Sequence, residues 1–135
     1  MRTRLVVLVV LAIVAAGCGG GGKKTVFTNA NWGQVEFNAQ TGKYNSSPVD
    51  FVGQAFLVDL NEPGAVWFMV YVDYKRLNFR TLVEYPHPNY RIEENQFVHV
   101  VGVVDQTTAT PDMIMWDEGP IVVASNATVV PQPPG

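Results

Sequence analysis

The chain has 135 residues, 47% of them apolar and 11% aromatic, the size of one small domain and too rich in core-forming side chains for a disordered tail. From Cys18 onward 7 basic side chains face 12 acidic ones, a balance of −5 that excludes the broad basic surface nucleic-acid backbones require. A single cysteine excludes an internal disulfide and any metal site built from several thiolates.

The chain opens with Met1-Arg2-Thr3-Arg4, a positive stretch, followed by an unbroken apolar run from Leu5 to Val14. Ala15-Ala16-Gly17 then places small residues directly before Cys18, which is the layout of a secretory signal peptide over residues 1–17. At about 1.5 Å per residue the apolar stretch is too short to cross a hydrocarbon core of about 30 Å comfortably. Small residues ending in Cys resemble the lipobox of bacterial lipoproteins, although Ala15 stands where that family usually has Leu. The resemblance implies diacylglyceryl transfer to the Cys18 sulfur, cleavage before it, and acylation of the new N-terminus with a palmitate-class chain. The thiolate is the nucleophile such chemistry needs, and two or more acyl chains hold a protein on a membrane where one is marginal. Residues 18–24 then form a lipidated Cys and a flexible Gly-rich linker, with Lys23 and Lys24 suited to anionic headgroups.

From Thr25 onward no segment sustains a helical period, and β-rich runs alternate with turn signals. Strands are expected at Phe51–Leu60, Ala65–Tyr74, Phe79–Tyr85, Phe97–Asp105 and Ile121–Val130. They are separated by Asn61-Glu62-Pro63-Gly64, by Lys75-Arg76-Leu77-Asn78, by the Pro-rich stretch after Tyr85 and by a long polar loop from Gln106 to Gly119. Residues 131–135 form a Pro-rich tail. Gly53 and Gly102, each inside a strand, mark the bulges or bends a small barrel needs at its corners.

The phrases Phe51-Val52-Gly53-Gln54-Ala55, Val98-His99-Val100-Val101-Gly102-Val103-Val104 and Pro120-Ile121-Val122-Val123-Ala124-Ser125 resemble the OB-fold. They are most similar to the extracytoplasmic OB-type domains of bacterial lipoproteins, over residues 49–130. The fold expected is therefore all-β, a five-stranded OB-like Greek-key barrel. An immunoglobulin-like sandwich is the rival, and it wants about seven strands where five are visible. The connection from Tyr85 to Phe97 is too short and Pro-rich for the helix many OB-folds carry there. The barrel end must then be plugged by the N-terminal extension, residues 25–48, where Trp32, Val35, Phe37 and Tyr44 are available and Asn31 is an acceptable N-cap for a short helix.

Alternation on the second strand sets Val66, Phe68, Val70 and Val72 on a core face and Trp67, Met69, Tyr71 and Asp73 on the other. Ligands commonly sit on the outer face of strands two and three in OB-folds, so Trp67 and Tyr71, with Arg80 beside them, are the candidate binding residues. The competing expectation is that the N-terminal segment packs over this face and makes it a second core. Two histidines, His87 and His99, with a carboxylate could hold Zn²⁺ for a metal-assisted hydrolase, and Asp105, Asp112, Asp117 and Glu118 could offer oxygens to Ca²⁺; no spacing supports either, and no metal or other cofactor is expected. There is no Gly-x-Ser-x-Gly elbow, Ser46 and Ser47 read as turn residues, and Glu93-Glu94 sit in a turn, so no catalytic residue is assigned and the chain is not expected to be an enzyme. The reading is a lipid-anchored extracytoplasmic membrane protein whose module binds a small polar ligand, a glycan or an envelope protein, and no nucleic acid. The alternative is an accessory structural subunit of an envelope complex.

Overall fold

Valine and aromatic residues at every second position, interrupted by Gly, Pro and Asn, favour extended chain that buries one face. In the computed structural model, which describes residues 25–38, 41–62, 64–87, 89–108 and 119–134, this pattern yields β1 (Pro48–Glu62), β2 (Ala65–Asp73), β3 (Asn78–Tyr85), β4 (Phe97–Val104) and β5 (Ile121–Val130), preceded by one short helix, α1 (Trp32–Asn38). The expected signal peptide, Cys18, the expected linker and the carboxylates Asp112, Asp117 and Glu118 lie outside the described residues.

The strands close into a barrel in the order β1-β2-β3-β5-β4, with β4 returning to β1. The β3–β5 pairing is parallel and the remaining pairs are antiparallel. This is the five-stranded OB-like Greek-key barrel that the strand rhythm predicts, and it displaces the sandwich alternative.

β1 is longer than expected because it serves two neighbours. Pro48 to Gln54 pair with β4, Gln54 to Glu62 pair with β2, and Gln54 belongs to both ladders, opposite Phe97 and Tyr71. At this corner Gly53 comes so close to β2 that a Cβ there would stand 2.9 Å from Val70 Cβ and 3.1 Å from the Tyr71 carbonyl oxygen. Gly102 marks a second irregularity. The β4–β5 register moves from Val101–Asn126 to Gly102–Ala124, leaving Ser125 as the extra residue of a bulge. A Cβ on Gly102 would run into the Val123 carbonyl oxygen and come within 2.7 Å of Ala124 Cα.

The core is built from the inward-facing residues of all five strands, among them Phe51, Phe68, Val70, Val83, Val98, Val100 and Val122. One end is plugged from the N-terminal side. Trp32 and Val35 of α1 are wholly buried, and the Trp32 ring lies 4.8 Å from that of Phe51. Phe27 is buried beside Tyr44 and bridges Val49 in parallel, its N–H bonded to the Pro48 carbonyl, so Phe27, Trp32, Val35 and Tyr44 belong to the same core as the barrel. The Phe37 side chain lies outside the described residues. Asn31 precedes the helix as expected, but its carboxamide does not cap it. The Asn31 Oδ1 accepts from the Thr28 N–H at 2.6 Å and its Nδ2 donates to the Val26 carbonyl, tying the helix entry to the segment before it. At the other end Ile92 and Tyr90 of the β3–β4 connection close the barrel, and the Tyr90 hydroxyl accepts from the Val129 N–H at 3.0 Å.

Candidate functional site

The outer face of β2 and β3 carries the residues singled out by alternation, and the register places them as cross-strand pairs: Tyr71 opposite Arg80, Met69 opposite Leu82, Trp67 opposite Glu84. The trio expected to form one platform divides into two. Trp67 is only 3% exposed and packs with Ala65, Met69, Leu82 and Ile121 in a second apolar cluster outside the barrel. The parallel β3–β5 pairing sets Ile121 beside Leu82, so the apolar strip spans three strands. The indole is therefore a packed side chain with no face free for a ligand. The face carries a packed apolar cluster, but no described residue of the N-terminal segment belongs to it, and Trp32 goes to the barrel plug.

Tyr71 and Arg80 do come together, at the edge of that cluster. A bulge in β1 shifts the register from Ala55–Val70 to Leu57–Met69 and leaves Phe56 as the extra residue. Its ring turns outward and stacks on Tyr71 with centroids 4.1 Å apart and planes 24° from parallel. Phe56 is the residue the sequence reading passed over. Strict alternation from Phe51 puts it on the same face as Gln54, and the register then sets that face beside Tyr71.

Arg80 is exposed and carries its charge close to Glu36 of α1. Burial pushes the Glu36 carboxyl above its ordinary value, and the Arg80 guanidinium opposes that rise. The Glu36 Oε1 is buried without a hydrogen-bond partner. Further along the face burial and the nearby charge of Asp105 raise Glu84, while hydrogen bonds from Thr107 hold Asp105 below the usual carboxylate range. The arrangement offers a half-exposed aromatic pair, a planar cation and, across the ladder, the Gln54 amide.

The histidines do not assemble a metal site. His87 lies in the β3–β4 connection, tilted against Tyr85 at 4.4 Å, whereas His99 sits on the outer face of β4 with its Nε2 2.6 Å from Asp50 Oδ1. Among the described residues no three His, Cys, Asp or Glu side chains gather where they could hold an ion. The serines serve the backbone: Ser46 occupies a turn at φ 68°, the Ser47 carbonyl accepts from Val104, and the Ser125 hydroxyl donates to the Val101 carbonyl across the bulge. Among the described residues no helix is long and apolar enough to cross a membrane.

No protein-family model matches this chain, and no curated protein matches it.

Proposed function

We propose that the chain is a lipid-anchored extracytoplasmic lipoprotein whose OB-like barrel is a non-catalytic binding module. The anchor is the diacylglyceryl and acyl group on Cys18, and the binding face is the edge where Phe56 and Tyr71 stack beside Arg80. The observation that carries the module reading is that stack: a ring pair kept half-exposed next to an exposed guanidinium suits a small polar ligand or a sugar ring that contacts a π-face and hydrogen-bonds at its rim. A protein partner of an envelope complex is the second reading, favoured by Leu57, which is 39% exposed next to Phe56 in the bulge.

Two measurements test the proposal separately. Cys18→Ala abolishes uptake of labelled fatty acid and releases the protein from the membrane fraction; persistence of both refutes the anchor. Native mass spectrometry after incubation with envelope extract yields a discrete small adduct that Tyr71→Ala and Arg80→Gln remove. A protein-sized adduct transfers support to the accessory-subunit reading, and a bare protein withdraws it from the binding face.

A further inference from the structure

A second concavity lies away from the outer face, at the end of the barrel plugged by α1. The β1–β2 ladder begins only at Gln54–Tyr71. Beyond it the strands part, and a side chain takes over their main-chain groups. Asn29 Nδ2 donates to the carbonyls of Val52 and Val72 at 2.8 and 2.9 Å, and its Oδ1 accepts from the Val52 N–H at 3.0 Å. Facing this gap, the β2–β3 hairpin enters β3 through two left-handed residues, Leu77 at φ 53° and Phe79 at φ 59°. Bulky side chains avoid that region, so two such residues within three positions are local strain held by the surrounding structure. The bend brings the Phe79 ring against α1, 3.6 Å from where a Cβ on Gly33 would stand.

Parted strands and bent hairpin leave a cavity of about 330 Å³ whose walls include Ala30, Val72, Tyr74 and Phe79 and whose rim carries Lys75 and Arg76. That volume is within the range of small-molecule sites. Asp73 pins Arg76 through one nitrogen, Nη1, at 3.0 Å, which orients a side chain otherwise 82% exposed and leaves the rest of its donor fork unclaimed by that carboxylate. Lys75 has no ion-pair partner among the described residues. The rim is thus one positive charge in excess, above apolar and aromatic walls. We propose that this cavity binds a small carboxylate carrying an apolar or aromatic body, the carboxylate on Arg76 and Lys75 and the body between Tyr74 and Phe79.

The test is a titration of the ¹⁵N-labelled full chain with phenylacetate and, separately, with its neutral amide, phenylacetamide, followed by amide chemical shifts. Phenylacetate produces saturable shifts at the Asn29 side chain, at Ala30 and at residues 74–79, with a dissociation constant on the order of 1 mM or tighter. Phenylacetamide binds about tenfold more weakly, or worse, because it lacks the charge-assisted contacts to Arg76 and Lys75. The double variant Lys75→Gln and Arg76→Gln, at two exposed positions outside the core, erases the difference between the two probes. No saturable shift, shifts confined to Phe56, Tyr71 and Arg80, or undiminished discrimination by the double variant each overturns the proposal.

Discussion

The Trp32 indole Nε1 donates to the Thr81 hydroxyl across 3.1 Å, joining the helix that plugs the barrel to the strand it rests on, and both side chains are wholly buried. A tryptophan fills an apolar end well, but its N–H needs a partner once water is excluded. Thr81 provides one, and its own hydroxyl proton goes to the Phe79 carbonyl at 3.3 Å. One β-branched residue of β3 therefore satisfies the buried indole and ties α1 to the strand beneath it.

Replacing Thr81 by Val keeps the shape and removes the acceptor. The orphaned indole N–H costs about 1–3 kcal/mol, measured as a lower urea midpoint at unchanged slope. Combining Thr81→Val with Trp32→Phe removes the indole N–H together with its acceptor, so the double variant loses less than the sum of the two singles. Additive losses refute the pairing.

The outer face separates in the same kind of experiment. Trp67→Ala opens a hole in a packed cluster and costs about 3–5 kcal/mol. Tyr71→Ala, at a half-exposed position, removes only a ring stack and part of a burial, and costs clearly less, about 1 kcal/mol from the stack itself. If Trp67→Ala is as mild as a surface substitution, the indole is not a packed side chain.

What could be read ahead of the structure follows from interaction range. Period-two alternation is local, so the five strands, the inward set of β2 and the outward parity of Arg80 were legible. So was the bulge or bend at Gly53 and Gly102, because a glycine within a valine-rich strand marks such a corner, although the close backbone approach that requires glycine there was not. The plug was legible by elimination, since Trp32 and Tyr44 had no strand to join. Alternation sets Trp67 outward, but its cluster with Ala65, Met69, Leu82 and Ile121 draws on three strands, and the β3–β5 pairing that brings Ile121 beside Leu82 leaves no local trace in the sequence. Asn29 carried no signal at all: its two carbonyl partners lie 23 and 43 residues away, and nothing in Thr28-Asn29-Ala30 distinguishes a strand clamp from a turn residue.

Gly102→Ala tests the close approach at the bulge. The methyl has no free volume, and the obstructing atoms are the backbone of Val123 and Ala124, which cannot rotate aside. The loss is at least the ~1–3 kcal/mol of an overpacked core, read from thermal or urea unfolding. Gly64→Ala is the contrasting control. It has nothing within 4 Å of its Cβ and only the left-handed φ of 94° to strain it, so its loss is the smaller of the two.

Glu36 makes stability depend on acidity. Burial raises its carboxyl above the ordinary 4.5 in the folded protein, with Arg80 acting the other way, so the folded state holds that proton more tightly than the unfolded chain. The side chain's favourable contribution is fully present below the unfolded value and is lost as pH rises through the folded one. At neutral pH the carboxylate is ionised in both states, and the folded state bears the desolvation. Glu36→Gln removes that charge, so the variant has a higher urea midpoint than the parent at neutral pH, and the gain shrinks as pH falls until it vanishes below 4.5. The check is a pair of midpoint-against-pH curves, parent and variant, at moderate salt. A variant less stable than its parent at neutral pH means that attraction to Arg80 outweighs burial, which reverses the order of the two effects.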